Sequence, residues 1–260
     1  MSWVLFAKIY IRLILVKNVR LNSVCRYMRN VLNIGNLAVE LENEGSMNNQ
    51  DIFQIVIERL KSEPFLNGFK FRKRDSSFIQ QESGLRRSIE LEHWIKDGVL
   101  IIYPIYMARF DVLLKWFEPY SFKSLQDQRD NPSVVFSGNM LERQDKFQVT
   151  EDSLEQDYTT LRGVLAECSG MVFSSYTSLH DMYNRLIIPI LECNRTLPDV
   201  GADWAFMYLT LTRIVSPENY SAVKGLVLSQ VNKMAERNEP NIIEYMPRLD
   251  EIINAMESQF

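Results

Sequence analysis

The sequence predicts an α+β fold, in which a small antiparallel meander sheet covered by a helix is followed by a mainly helical C-terminal half. Between about residues 68 and 107, apolar and polar residues alternate with a period of two, which is typical of strands. After about residue 150, apolar residues recur every three to four positions, which is typical of helices. The 260 residues are 46% hydrophobic and 24% charged, so the chain can bury a full core.

The first predicted element after Met47 is a helix over residues 51–62. Pro64 marks its end, because proline cannot continue a helix. Its apolar side chains share one face: Ile52, Ile55, Val56 and Leu60.

Four strands are predicted next, over residues 69–72, 77–80, 85–94 and 99–106. The turn signals between them are Asp75-Ser76, Ser83-Gly84 and Asp97-Gly98. The last strand is rich in β-branched and aromatic residues, which suits a central position. Pro104 argues against that position, because proline removes one hydrogen bond of the ladder.

The segment after the meander is predicted to be mostly irregular. We expect a short helix over 111–117, a polar loop over 123–132 and a short strand at 134–136. Ser153 to Gln156 resembles a capping box that begins a helix.

The C-terminal half is predicted to contain at least four helices. The first follows Ser153, the second begins near Ser178 and is kinked or ended by Pro189, and the third covers about 202–215. Ser216-Pro217-Glu218 begins the fourth, because a serine cap, a first-position proline and an acidic first turn all favour a helix start.

Residues 1–46 form a basic, apolar leader with three open interpretations. Lys8 and Arg12 interrupt its apolar run, which argues against a membrane-spanning helix. A targeting helix or one that lies on an anionic membrane is the second interpretation. The third, which the domain-like start at Met47 favours, is that the leader is not translated or is disordered. We therefore predict boundaries at 1–46, 47–148 for the sheet domain and 149–260 for the helical region packed on it.

The sequence motifs that the chain lacks are the main guide to which functions it is not expected to have. It has no glycine-rich phosphate loop, nucleophile elbow, HExxH or EF-hand pattern, so we predict no cofactor. Its three cysteines, Cys25, Cys168 and Cys193, form no CxxC pair, which fits a reducing, cytoplasmic location. The net charge of −4 argues against a dedicated nucleic-acid binder.

One enzymatic hypothesis rests on the strand at 85–94. Glu90 and Glu92 point to the same side of that strand, and with His93 they could hold a divalent metal or act as acid and base in a hydrolase or nuclease. Such strands often carry a lysine two residues after the acid, but Trp94 stands there instead. The alternative is a solvated sheet face on which these glutamates pair with arginines across strands.

A second hypothesis places a protein partner on the charged face of the sheet or in the groove between the sheet and the helical half. Its residues are basic side chains of the first three strands and one aromatic: Lys70, Arg72, Arg74, Arg86 and Trp94. Three interleaved phenylalanines, Phe69, Phe71 and Phe78, lack the spacing of an RNA-binding motif and are expected to face the core.

The order of these elements resembles a group of bacterial domains of unknown function. The shared features are a first helix, the hairpin Gly68-Phe-Lys-Phe-Arg-Lys73 with Ser77-Phe78, and the strand Ile89 to Trp94, over about residues 50–140. The resemblance implies an immunity- or phage-defence-type role, but it assigns no residue. Together these observations predict a non-enzymatic interaction protein with a protein partner, and no membrane partner unless residues 1–31 are expressed.

Overall fold

The computed structural model describes residues 47–192, 195, 197 and 201–260. The predictions made for residues 1–46 and for Cys25 and Cys193 lie outside these residues. Residues Asn48–Phe260 form one compact unit. The fold is α+β, as the sequence predicts, with an antiparallel sheet followed by a helical C-terminal half.

The sheet of the described chain has six strands, and every pairing in it is antiparallel. The strands are β1 (Lys70–Arg72), β2 (Ser77–Glu82), β3 (Leu85–Lys96), β4 (Val99–Phe110), β5 (Val134–Ser137) and β6 (Phe147–Val149). The first four form the predicted meander. β5 and β6 lie one after the other along the edge of β4 that does not pair with β3, so β4 is the central strand.

Pro104 lies inside β4 without breaking a ladder hydrogen bond. Its partner Leu91 directs its N–H toward β2, where it donates to the carbonyl of Ser76 at 3.0 Å. Leu91 and Pro104 therefore form a non-hydrogen-bonded pair, in which the backbone groups of the two residues point away from each other. The nitrogen of Pro104 points away from β3, toward the opposite edge of β4. There β5 ends opposite Ile105 and β6 begins opposite Ile102, so the proline faces the gap between the two short strands.

The helices of the N-terminal half are α1 (Asn49–Leu60), α2 (Asp111–Leu114) and α3 (Leu125–Asp130). Those of the C-terminal half are α4 (Leu154–Ser175), α5 (Leu179–Leu186), α6 (Ile188–Leu191), α7 (Ala202–Val215), α8 (Tyr220–Glu236), α9 (Pro240–Ile243) and α10 (Leu249–Gln259). As predicted, the second helix of this half breaks before Pro189, and α6 continues from there.

The core lies between one face of the sheet and two helices. α1 and α4 both contact β4, and they contact each other. Phe78, Ile89 and Tyr106 are among the largest fully buried side chains of the sheet. Burial of such side chains stabilises the fold by about 1.5–3 kcal/mol each. In the helical half, α7 is buried on nearly all sides and contacts α2, α5, α8 and α10.

Two local predictions were wrong. The polar segment 123–132 contains helix α3, because the Ser124 hydroxyl accepts a hydrogen bond from the Asp127 N–H at 3.1 Å and caps the helix. At the start of α4, Ser153 occupies the cap position, but its hydroxyl bonds to the carboxylate of Asp157 and caps no backbone N–H. The capping box therefore does not form, although the helix begins where it was predicted.

Within the described residues, no helix has both the length and the apolar content needed to cross a bilayer. Cys168 is a free thiol that is fully buried in α4 beside the sheet, as expected of a small apolar core residue.

Candidate binding sites on the sheet

Side chains of β3 alternate between the two faces of the sheet. Ile89 and Leu91 face the core and are buried, whereas Arg86, Ser88, Glu90, Glu92 and Trp94 share the other face. The hydrogen-bonded register sets Arg72 of β1 beside Ser77 of β2, and Ser77 beside Glu90. The predicted basic residues are therefore brought together with Glu90 on one surface.

Three arginines on this surface converge on one aspartate from α3. Asp130 lies 3.0 Å from Arg72 and 3.7 Å from Arg86, and it also accepts a hydrogen bond from Arg74. Arg72 also forms an ion pair with Asp75, which lies three residues later in the chain. This ion pair is partly shielded from water. These bonds hold the pKa of Asp75 below its usual range in spite of its burial, so it stays ionised. We name Arg72, Arg74, Arg86, Asp75 and Asp130 the arginine cluster.

Glu90 and Glu92 do not pair with arginines, which corrects one expectation. In the described part of the chain, neither carboxylate makes a hydrogen bond or an ion pair. Burial raises the pKa of Glu90, and the nearby charges of Asp75 and Glu92 raise it further. The arginines form their ion pairs with Asp75 and Asp130 instead, so Glu90 is half-buried without an ion-pair partner.

A cavity of about 310 Å³ separates the arginine cluster from Glu90. Its lining includes Arg86, Ser88 and Glu90 from alternate positions of β3. Such a volume is at the lower end of the range of small-molecule sites.

The residues of the enzymatic hypothesis do not converge. Glu90 is half-buried and Glu92 is exposed on the same face, but His93 lies on the opposite face and stacks on Phe53 of α1, with ring centroids 3.8 Å apart. Among the described residues, no group of three His, Cys, Asp or Glu side chains could hold a metal ion. The second histidine, His180, is exposed on α5.

The outer edge of β3 is only half covered. β2 pairs with residues 85–90, and the Leu91 N–H reaches Ser76, but no described strand pairs with residues 92–96 on this edge. The carbonyl of Leu91 lies 3.2 Å from Nδ1 of His93, whose ring occupies the place of a partner strand there. Beyond it, the hairpin exposes 40% of Trp94 and 62% of Ile95.

A groove of about 440 Å³ lies between α1 and this edge. Apolar side chains that line it include Phe53, Phe71 and Ile95, and its charged residues are Lys73 and Arg74. None of the described residues that line the groove is acidic. Arg74 is paired with Asp130, so the unpaired positive charge of the groove comes from Lys73. We name this groove and residues 92–96 of β3 the edge site.

Four of the five predicted partner-binding residues belong to these two places, and Lys70 belongs to neither. Arg72, Arg74 and Arg86 belong to the arginine cluster, and Arg74 also lines the groove of the edge site. Trp94 belongs to the edge site. Lys70 is exposed on β1, and in the described chain it makes no ion pair.

Sequence reasoning missed two residues that organise this surface. Asp130 carries no local signal, because its partners are more than forty residues away in the chain. Arg109 lies three residues past the predicted strand end, where it continues the alternation of β4 directly opposite Arg86. Its guanidinium is 3% exposed and donates to the carbonyls of Gln128 and Asn131. An extension of the strand by four residues would have placed it on this face.

Comparison of the chain with protein-family models, with curated proteins and with solved structures found no match.

Proposed function

We propose that this chain is a non-enzymatic interaction module that binds a protein partner by adding one of the partner's strands to the edge site. The observation that carries the proposal is the uncovered edge of β3 at residues 92–96, beside exposed Trp94 and Ile95. Natural proteins usually protect such edges with charges, proline or a covering element. Glu92 and Lys96 place charges at the two ends of this edge, but Trp94 and Ile95 between them are apolar and exposed, which favours a surface that is covered in a complex.

The backbone groups available for pairing follow from the alternation of the ladder. The Leu91 N–H points away from β4, so the N–H and carbonyl groups of His93 and Ile95 point the same way. A partner strand can bond to them without disturbing the β3–β4 pairs. Backbone hydrogen bonds supply affinity in this mode of recognition, and pockets for alternate side chains supply specificity.

The chemistry of the groove defines the partner strand. Apolar side chains of the partner would bury against Phe53, Phe71 and Ile95, and an acidic side chain would face Lys73. We therefore expect the partner segment to be extended and to combine acidic with apolar residues.

A displayed library of random peptides tests this function on the full chain. Binders selected on the wild type and depleted on Ile95→Pro should be rich in aspartate or glutamate next to β-branched or aromatic residues. Proline at 95 removes an N–H that faces the free edge, and it leaves the bonds to β4 in place. Ile95→Thr is the matched control, because it keeps the N–H and removes the exposed apolar group.

The selected peptides should bind Ile95→Pro at least about tenfold more weakly than Ile95→Thr, which is a difference of about 1.4 kcal/mol. Peptides that bind both variants equally would contradict strand addition. A dimer of the wild type that Ile95→Pro abolishes would make a second copy, and not an acidic partner, the occupant of the edge.

The immunity- or defence-type role implied by the resemblance stays a prediction. A small toxin-like reading frame beside the gene, whose product binds through the edge site, would support neutralisation. The metal-dependent hydrolase remains the alternative hypothesis, but no contact of Glu90 or Glu92 among the described residues favours it.

A further inference from the structure

The cavity beside the arginine cluster contains three polar groups whose bonding capacity is unused. Arg86 is 16% exposed, and its nearest acidic oxygen, on Asp130, is 3.7 Å away, which is too far for a hydrogen bond. The Ser88 hydroxyl and the Glu90 carboxylate make no hydrogen bond within the described chain. None of the polar atoms of these three side chains is both fully buried and unpaired, so they remain open to a ligand in the cavity.

These groups are arranged along one line of β3. Arg86, Ser88 and Glu90 occupy alternate positions, so they line the same cavity, with five donor N–H groups at one end and two acceptor oxygens at the other. At about 3.4 Å per residue, the Cα atoms of Arg86 and Glu90 are about 14 Å apart. The two side chains form no ion pair with each other, although both point into the cavity.

The charge of the cavity restricts what it could hold. Three arginines and three acids line it, so it is neutral overall. A simple anion would satisfy Arg86 but would leave Glu90 facing a second negative group. A simple cation would satisfy Glu90 but would face the guanidinium groups. Only a molecule with both charges complements both ends.

We propose that this cavity binds a small zwitterionic molecule whose carboxylate pairs with Arg86 and whose ammonium group pairs with Glu90. Because the two ends lie apart along the strand, the ligand charges must be separated by a short chain, as in an ω-amino acid or a short peptide. Arg86 can hold the carboxylate through two parallel hydrogen bonds, and Ser88 lies between the two ends. The two charged ends of this site lie outside the edge site, since neither Arg86 nor Glu90 lines the groove, although Arg74 lines both places.

Calorimetric titration of the full chain with ε-aminocaproate tests the proposal. Caproate and hexylamine, each of which carries only one of the two charges, are the matched ligands. We expect ε-aminocaproate to bind at least about tenfold more tightly than either of them. Caproate that binds as tightly as ε-aminocaproate would reduce the cavity to an anion site and overturn the proposal, as would no heat of binding from any zwitterion.

Substitutions of Arg86 and Glu90 test whether the ligand binds at the two ends of the cavity. Glu90→Gln should weaken ε-aminocaproate at least about tenfold, whereas Glu92→Gln, on the same strand face but outside the cavity, should leave it within about twofold. Arg86→Gln should act like Glu90→Gln. If Arg86→Gln fails to fold, Glu90→Gln still decides the matter, because Glu90 has no partner within the described chain to lose. Equal binding by Glu90→Gln and Glu92→Gln would contradict the site.

Triglycine separates the two sources of such a ligand. Tighter binding than ε-aminocaproate would identify a peptide, and weaker binding would identify an ω-amino acid. Both results support a site with two charged ends, provided that Glu90→Gln weakens the binding.

Discussion

Glu90 is an acid whose surroundings oppose its charge. Burial is the main reason that its pKa is raised, and the neighbouring charges of Asp75 and Glu92 act in the same direction. The charge of Arg72 lowers the pKa of Glu90, but Arg72 forms no ion pair with Glu90. A half-buried carboxylate without a counter-ion is the feature by which this surface differs from an ordinary solvated sheet face.

Replacement of Glu90 by glutamine should stabilise the unliganded protein at neutral pH. Because the folded-state pKa is higher than the unfolded value, the folded state holds its proton more tightly, and stability falls as pH rises through these two values. Glutamine carries no titrating group, so Glu90→Gln does not lose stability in this way as pH rises. The advantage of Glu90→Gln should therefore be largest above the folded pKa and vanish below about pH 4, where the glutamate is protonated in both states.

Urea unfolding of both proteins across this pH range measures the difference. Glu92→Gln serves as the control, since Glu92 is exposed on the same strand. An advantage of Glu90→Gln that is independent of pH would show that the charge is not its cause.

At the scale of elements, the meander and the helices followed from local signals. Asp97-Gly98 adopts the left-handed conformation at both positions, with φ of 52° and 80°, as a tight hairpin turn requires. Pro189 and Pro217 mark helix boundaries as predicted. Helix α3 was missed because its cap, Ser124 with Asp127, lies in a segment without an apolar period. The position of α3 on the sheet depends on Arg109, which local patterns do not reveal.

Arg109→Met should destabilise the protein by about 3 kcal/mol, because it leaves buried carbonyls of the α3 segment without a donor. Arg109 donates to the carbonyl oxygen of Asn131 at 2.8 Å and to the carboxylate of Asp111 at 3.0 Å. The control is Lys115→Met, which removes an exposed partner of the same Asp111 and should cost less than about 1 kcal/mol. Denaturant unfolding compares the two variants, and equal losses would contradict an anchoring role for Arg109.

At the scale of the whole molecule, the segment 123–131 connects the sheet to the helical half. Asp130 bonds to arginines of the sheet, while Lys123 and Asn131 bond to Asp203 of α7. Asp203 is only 7% exposed, so these contacts lie at the buried boundary between the segment and α7. Through this segment, the arginine cluster and the helical core belong to one compact unit.

We expect the sheet and the helical half to unfold in a single transition. Asp203→Ala should lower the free energy of unfolding by about 1–3 kcal/mol, and the unfolding midpoint with it, because Asn131 and Lys123 lose their shared acceptor. Far-UV circular dichroism and tryptophan fluorescence should give coincident curves for the wild type and for the variant. Separate midpoints in the wild type would show that the two halves are stable independently.

The sequence by itself determined the fold class, the meander and most helix boundaries, because periodicity, caps and turn residues act over a few positions along the chain. It also placed the basic residues and Glu90 on one face of the sheet. Tertiary structure decided which charges meet. Asp130 reaches the arginines from a distant helix, His93 stacks on Phe53 of α1, and β2 begins opposite Glu90, which leaves the rest of β3 uncovered on that edge. Contacts between distant segments depend on how the elements pack, so both the uncovered strand edge and the unpaired ends of the cavity are visible only in the folded chain.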